Sequence, residues 1–274
     1  MKLKLFASVC VAAGLCLGLA GCGDDKATAT KADNGALTLT VGASPVPHSD
    51  ILAQVAPVLQ KDGITLKVIE FSDYVKPNIS LADKELDANF FQHLPYLESF
   101  ASDRGLKLAS LVAVHIEPMG VYSSKVKTID EVPAEGKVGI PNDPTNGGRA
   151  LKVLETAGLI KLKDGVGVTA TVADVVENPK NLKFIEVEAA QLPRALDDLA
   201  LAVINSNYAL GANLNPTKDA IAIESKDSPY ANIIAIREGD ATRPELLKLK
   251  AALTSEEVRK YLEETYKGAV VPAF

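Results

Sequence analysis

Residues 37–71 read LTLTVGASPVPHSDILAQVAPVLQKDGITLKVIEF, and this stretch determines the fold class. Residues 37–41 alternate apolar and polar side chains, as a half-buried strand does, and residues 64–71 have a second strand pattern. Between them, residues 48–59 carry apolar side chains at helical spacing, and Asp62 and Gly63 end that pattern. A strand, a crossover helix and a second strand predict parallel pairing, and therefore an α/β fold.

The same alternation continues along the chain. Strands are predicted at residues 108–116, 138–140, 183–187 and 201–204, and helices at residues 149–157, 189–199 and 244–266. Two further strand patterns, at residues 120–122 and 233–236, are separated by a segment long enough for a complete lobe. This arrangement predicts two lobes joined by two chain crossings.

The N-terminal segment has the organisation of an export signal. Two lysines precede an apolar run over residues 5–19, which is shorter than the roughly 20 residues that span a bilayer comfortably. Cys22 follows directly after Leu-Ala-Gly, and this order resembles the bacterial lipobox, in which the cysteine is lipidated. We therefore predict a signal peptide over residues 1–21, lipidation (palmitate) at Cys22 and a flexible tether over residues 22–35, with a plain secretory signal as the alternative.

Composition excludes several classes of function. The chain carries 29 basic and 35 acidic residues, a formal net charge of −6, which disfavours a nucleic-acid partner. Cys22 is the only cysteine outside the predicted signal peptide, so the mature chain has no thiol for an internal disulfide or a catalytic nucleophile. The sequence also lacks the Gly-x-Ser-x-Gly and Gly-x-x-x-x-Gly-Lys-Ser/Thr motifs of serine hydrolases and phosphate-binding loops.

A strand, a loop and a helix follow one another over residues 138–157. Free backbone N–H groups and the positive dipole end at a helix start make a natural seat for a carboxylate or phosphate. Arg149 would add a guanidinium fork that matches a carboxylate with two parallel hydrogen bonds. The alternative interpretation is a solvated arginine at a helix start.

Aromatic residues cluster in residues 87–96. Two phenylalanines, a histidine and a tyrosine fall within this short stretch of a chain that has only seven Phe, seven Tyr and no Trp. Aromatic rings can line a pocket for an apolar or thioether side chain. Ordinary core packing is the alternative interpretation.

Amides and histidines provide the remaining candidates. Asn205 ends an apolar strand and Asn232 precedes another, and an amide at such a place can bind both an ammonium and a carboxylate group or simply stabilise a turn. The three histidines could form a metal site, but no pair has the spacing of a helical metal motif. They are His48, His93 and His115.

Several of these residues lie in motifs that resemble the NlpA-type, methionine-binding lipoproteins, which serve ABC importers. The resemblance covers essentially the whole chain. It implies a two-lobed periplasmic binding protein fold, type II-like, with a ligand cleft between the lobes, no catalytic activity and no cofactor. The motifs are DYV and PN at residues 73–78, DAN, FQH and PY at residues 87–96, PNDPTN and GR at residues 141–149, DVVENPKNL at residues 174–182, and QLPR at residues 191–194.

The resemblance also implies which residues contact the ligand. They are Tyr74, Phe91, His93 and Tyr96 around the methionine side chain, Asn146 and Arg149 at its carboxylate, Asn205 and Asn232 at its polar end, and, at a position that varies within the family, His115. We expect Arg149→Ala to abolish methionine binding and to leave the thermal unfolding of the ligand-free protein almost unchanged.

Together, these patterns predict an exported receptor that is anchored by lipid at Cys22 and faces the periplasm or the outer side of the cytoplasmic membrane. It would bind L-methionine and deliver it to the permease and ATPase of an ABC importer. Lobe 1 would comprise residues 36–117 and 237–274, and lobe 2 residues 118–236. D-Methionine and a methionyl peptide are alternative ligands, and a metal-binding receptor and an exported enzyme are alternative functions.

Overall fold

The structure, a computed structural model, describes residues 37–274. The predicted signal peptide, Cys22 and the whole of the predicted tether therefore lie outside the described residues. Among residues 37–274, no helix combines the length and the apolar character that crossing a bilayer requires.

Strands and helices alternate along the chain. The strands are β1 (Leu37–Ala43), β2 (Ile64–Glu70), β3 (Ala88–His93), β4 (Leu108–Ile116), β5 (Gly120–Tyr122), β6 (Lys137–Pro141), β7 (Lys161–Leu162), β8 (Val175–Glu177), β9 (Lys183–Val187), β10 (Leu201–Ile204), β11 (Ala222–Ile223), β12 (Ala231–Arg237) and β13 (Val271–Pro272). The helices are α1 (Asp50–Lys61), α2 (Lys76–Ala82), α3 (Leu94–Arg104), α4 (Pro144–Thr156), α5 (Leu192–Ala195), α6 (Ser206–Gly211), α7 (Pro244–Leu253) and α8 (Glu256–Tyr266).

The first sheet has six strands in the order β13-β4-β12-β3-β1-β2. β1 pairs in parallel with β2 and β3, as the opening β-α-β pattern predicts. α1 buries Ile51, Leu52, Val55 and Leu59 against this sheet and leaves Val58 exposed. Helices α7 and α8 contribute to the same core, so the C-terminal part of the chain belongs to the first lobe.

The second sheet has five strands in the order β11-β5-β10-β6-β9. Strands β10, β6 and β9 are parallel, with β9 at the edge, whereas β5 runs antiparallel to β10. α4 packs Leu151 and Leu154 into a core with Ile140 of β6. The second lobe therefore has its own sheet and its own core.

The chain crosses between the lobes twice. It leaves the first sheet after β4, through residues 117–119, and returns between β11 and β12, through residues 224–230. The α/β fold with two lobes and two crossings is thus as the sequence predicts. One strand differs, because residues 231–236 were assigned to lobe 2 whereas β12 pairs with β3 and β4 in the first sheet. A fully buried apolar strand fits the interior of either sheet, so its local pattern does not identify its partners.

Two predicted helices are interrupted. The predicted helix at residues 189–199 consists of the short α5 between two 3₁₀ turns. The predicted helix at residues 244–266 is divided into α7 and α8, because the Ser255 side chain accepts the backbone N–H of Val258 and caps a new helix.

Candidate functional site

A cavity lies between the two lobes, beside the two chain crossings. Of the nine residues predicted to contact a ligand, all but His115 line it. Its walls combine aromatic rings from the first lobe, amides and an arginine mainly from the second lobe, and one carboxyl group. The lining residues are Tyr74, Phe91, Gln92, His93, Tyr96, Glu117, Asn146, Arg149, Asn205, Ser206, Asn207 and Asn232.

Three aromatic rings from the first lobe form one wall of the cavity. The ring centroid of Tyr74 lies 5.8 Å from those of both Phe91 and Tyr96, and the latter two are 6.0 Å apart. The Tyr96 hydroxyl donates to the backbone carbonyl of Tyr74 at 2.8 Å. Phe100 stacks on Tyr96 from behind. The aromatic cluster is therefore core packing on one side and cavity wall on the other.

The junction of β3 and α3 sets the position of this wall. All six residues of β3 are buried, and α3 begins directly after it. Pro95 lies in the first turn of α3, where a missing N–H leaves no hydrogen bond unmade. His93 caps the helix, because its Nδ1 accepts the backbone N–H of Tyr96 at 3.1 Å. This cap holds Tyr96 in the first turn, facing the cavity.

The cap also determines the tautomer of His93. Since Nδ1 is the acceptor, the proton of the neutral imidazole is on Nε2, which donates to Asn146 Oδ1 at 3.1 Å. Burial and the nearby positive charge of Arg149 lower the pKa of His93 to about 3. His93 is therefore neutral at pH 7 and connects the first lobe to the second.

Two other hydrogen bonds cross the cleft. The Tyr74 hydroxyl donates to Asn207 Oδ1 at 2.5 Å, and the Tyr208 hydroxyl donates to the backbone carbonyl of Ser72 at 3.2 Å. The rings of Tyr74 and Tyr208 lie 4.9 Å apart. With the bond between His93 and Asn146, these contacts hold the lobes together, so the structure describes the closed form.

The anion seat expected at a helix start next to Arg149 is not formed. α4 begins at Pro144, and the carboxylate of Asp143 accepts the backbone N–H of Asn146 at 2.9 Å. The protein's own carboxylate therefore occupies the helix N-terminus. Arg149 lies in the second turn, where the dipole does not disfavour a cation as it would at the first residue.

The guanidinium fork of Arg149 is also engaged. Its Nε and Nη2 donate to Glu224 at 3.0 and 2.6 Å, Nη2 also donates to the backbone carbonyl of Glu117 at 2.7 Å, and the group lies 4.4 Å from the ring of Tyr230. Within the described residues, Nη1 has no acceptor, so a ligand would meet this single nitrogen. Arg149 is only 2% exposed. Removing Arg149 would leave the carboxylate of Glu224 without its ion-pair partner. An unpaired, largely buried charge destabilises the fold, which argues against the expectation that Arg149→Ala leaves thermal unfolding unchanged.

Three asparagines provide polar groups around the cavity. Asn146 Oδ1 accepts from His93 and from Asn205 Nδ2, the latter at 2.7 Å, and its Nδ2 donates to Asp143. Asn232 Oδ1 lies 3.1 Å from His48 Nε2. In the described part of the chain, Asn205 Oδ1 is buried and has no donor. It is therefore an acceptor available to a ligand.

His115 lies behind the cavity and contacts its lining through Glu117. Its Nε2 is 2.7 Å from Glu117 Oε1, and His48 Nε2 is 3.3 Å from the same oxygen. Burial lowers the pKa of His48 to about 4 and that of His115 to about 3. His115 therefore does not line the cavity but contacts Glu117, which does, and its direct contact with a ligand stays a prediction.

A metal site of three histidines is not formed, because His93 lies apart from the other two. Among residues 37–274, the one group with metal-ligand spacing consists of His48, His115 and Glu117, whose ligand atoms all lie within 4.8 Å of one another. The Nδ1 atoms of both histidines are buried without a partner. Histidines that hold a metal normally donate this second N–H to a fixed acceptor, so the group lacks the usual support for a metal.

Comparison with known proteins places the chain in a family. The model of the NlpA lipoprotein family matches residues 39–274. The chain belongs to the NlpA lipoprotein family. Among its relatives, the D-methionine-binding lipoprotein MetQ of Escherichia coli is 44% identical over 274 residues, which cover 98% of each chain. The fold and the motifs that suggested the resemblance are therefore those of this family.

Solved structures of similar proteins agree. A nutrient-binding protein from Burkholderia cenocepacia, solved with bound methionine, is 50% identical, with a TM-score of 0.83 over 86% of this chain and 100% of that one. An ABC transporter periplasmic substrate-binding protein from Coxiella burnetii is 42% identical, with a TM-score of 0.82 over the same shares of the two chains. The relatives from Escherichia coli, Burkholderia cenocepacia and Coxiella burnetii are all named as binding proteins.

Other residues of the family motifs support the fold. In DVVENPKNL, Asn178 bonds both backbone groups of Leu182, and Lys180 donates to the backbone carbonyls of residues 130 and 132. Asn78, Asn89 and Gln92 form a buried network of amide hydrogen bonds at 2.7 to 2.9 Å behind the aromatic wall. These residues hold loops and strands in place.

Sequence reasoning missed several residues of the site. Glu117 follows β4 directly, and its place in Glu-Pro-Met-Gly at the predicted crossing is the one signal that could have identified it. Glu224 lies in a polar segment and pairs with an arginine 75 positions away, so no local pattern points to it. Asn207 is next to the predicted Asn205, in the same turn after β10.

Proposed function

We propose that this protein is a lipid-anchored receptor that binds methionine in the cleft between its lobes and delivers it to an ABC importer. The observation that carries the proposal is the cavity itself, in which an aromatic wall, a buried arginine and several amide side chains converge, one of them with an unsatisfied oxygen. The wall suits a thioether, because sulfur is polarisable and interacts favourably with ring edges. The polar groups suit the charged end of an amino acid.

The contacts divide between the two ends of the ligand. Tyr74, Phe91 and Tyr96 surround the side chain, while Nη1 of Arg149 and the amides of Asn146, Asn205 and Asn232 bind the charged end. Because these groups come from both lobes, a bound ligand stabilises the closed form. Closure gives the importer a surface that differs from that of the empty receptor.

L-Methionine is the ligand we propose first. D-Methionine is the second candidate, because several relatives carry it in their names, and a methionyl peptide is a third. We propose no catalytic activity, because the cavity has no activated nucleophile among its described residues. Native mass spectrometry of freshly purified protein tests this: the expected result is a retained, chemically unchanged methionine, whereas a converted product would indicate an enzyme.

The anchor and the partners complete the proposal. Lipid at Cys22 would hold the receptor at the membrane, and residues 22–35 would let it reach the permease and ATPase at high effective concentration. We expect Cys22→Ser to release the protein from the membrane fraction and to leave its affinity for methionine in solution unchanged. An unchanged membrane fraction would contradict lipid anchoring at this residue.

A further inference from the structure

We propose that Glu117 is the cation site of the cavity, which accepts the α-ammonium group of the ligand, and that His48 and His115 are positioning residues for it. The inference rests on the proposed function and deepens it. Glu117 is the one carboxyl group that lines the cavity among the described residues, and it is 5% exposed.

The hydrogen-bonding needs of the two histidines fix how they act on Glu117. Both Nε2 atoms face Glu117 Oε1, at 3.3 Å from His48 and 2.7 Å from His115, and both Nδ1 atoms are buried without a partner. A buried N–H without an acceptor costs more than a buried lone pair without a donor. The protons are therefore on Nε2, so the His115 N–H donates to Glu117 Oε1, while the His48 N–H donates to Asn232 Oδ1 at 3.1 Å and lies beside the same carboxylate oxygen.

The charges around the cavity leave this carboxylate without a counter-ion. Arg149 is already paired with Glu224 through two hydrogen bonds, and both histidines are neutral. Burial raises the pKa of Glu117, against the opposing influence of His48, Arg149 and the backbone N–H of Asn207. A carboxylate at this position therefore gains from a cation that enters the cavity, and the α-ammonium group of an amino acid is one.

Glu117 also lies where ligand binding and lobe movement meet. It is the first residue after β4, and its backbone carbonyl accepts from Arg149 of the second lobe. His48 contacts both Glu117 and Asn232. Glu117 lies where the chain leaves the first sheet, and Asn232 lies near the start of β12, where the chain returns to it. An ammonium group on Glu117 would therefore bind beside the chain crossings that connect the lobes.

The test compares L-methionine with 4-(methylsulfanyl)butanoate, which has the same side chain and carboxylate but no ammonium group. In calorimetric titrations of the full-length protein, Glu117→Gln should lower the affinity for L-methionine by about 100-fold. It should change the affinity for the butanoate by less than about threefold. Glu245→Gln is the matched control, because Glu245 is a buried glutamate that lies outside the cavity and is paired with Arg243. This variant should change the affinity for neither ligand.

The histidines are tested in the same way. His115→Phe keeps a ring of similar size but removes the donor to Glu117. It should lower the affinity for L-methionine about tenfold and leave the affinity for the butanoate unchanged. His115→Gln, which restores an N–H donor, should recover part of that loss. These variants also serve if Glu117→Gln does not fold.

Three results would overturn the proposal. The first is an affinity of Glu117→Gln for L-methionine within threefold of the wild type, and the second is an equal loss of both ligands. The third is stoichiometric transition metal in the purified protein, since the carboxylate would then already have its cation. If the wild type itself binds no methionine, the proposed function fails and not this assignment.

Discussion

The burial of His93 beside Arg149 in the closed cleft predicts that acid weakens ligand binding. In the closed form, His93 Nδ1 accepts the N–H of Tyr96 and Nε2 donates across the cleft, so a second proton would place an N–H against an N–H. Burial and the charge of Arg149 lower the pKa of His93 to about 3. The other titratable side chains near its ring are those of Tyr96 and Tyr230, which are neutral over the acid range.

The size of the effect follows from the two pKa values. If opening of the cleft exposes the His93 ring to water, its pKa should return toward 6.5, the ordinary value for histidine. Because closure lowers this pKa, the contribution of His93 to closure is complete above about pH 6.5 and is lost as the pH falls from there toward about 3. One pH unit in that range corresponds to about 1.4 kcal/mol, so the affinity at pH 5.5 should be about tenfold lower than at pH 8.

Calorimetric titration with L-methionine at pH 8, 6.5 and 5.5 measures this effect. His93→Gln is the control, since its amide oxygen can accept the N–H of Tyr96 and its amide nitrogen can donate to Asn146, but it has no titration in this range. Glu117 can add to the acid loss in both proteins, so the difference between the two pH profiles isolates His93. A wild-type affinity that changes less than about threefold, or equal slopes in both proteins, would refute the reasoning.

Three further predictions concern the walls of the cavity. Tyr74→Phe should weaken methionine about fivefold, because Asn207 Oδ1 loses its donor across the cleft while the ring stays, and an unchanged affinity would remove this bond from the closure mechanism. Arg149→Ala should abolish binding and destabilise the ligand-free protein by about 3 kcal/mol in denaturant unfolding, and adding Glu224→Ala should restore stability but not binding. If the double variant is no more stable than the single one, the ion pair is not the cause. Phe91→Leu should reduce the preference for methionine over norleucine by about two- to tenfold, and an unchanged preference would exclude a sulfur contact with this ring.

The sequence predicted the bounds of those strands whose ends are marked by neighbouring residues. β4, β9 and β10 begin and end at the predicted residues, because their apolar stretches are bounded by polar or turn residues. The division at Ser255 was missed, although Ser-Glu-Glu is a good helix start, because apolar residues continue at helical spacing on both sides. The sheet of β12 was missed because strand partners are chosen by tertiary contacts.

Contacts between residues that are distant in the sequence were also missed at the candidate site. Residues of the family motifs, such as Phe91 and Asn146, were placed at the cavity by the resemblance. The role of Arg149 was predicted only in part, because its main partner Glu224 is distant in the sequence and no pattern links the two. His115 was assigned to the ligand because a sequence cannot tell a residue that lines a cavity from one that lies behind the lining.

Calorimetric titration of the ligand-free protein with L-methionine, D-methionine and L-alanine tests whether the cavity is a methionine site. We predict saturable binding of one L-methionine per protein. L-Alanine should bind about 50-fold more weakly, since its side chain forgoes burial of two carbons and a sulfur against Tyr74, Phe91 and Tyr96. Absence of binding by either enantiomer of methionine, or equal affinity for alanine, would contradict a methionine receptor built on this aromatic wall.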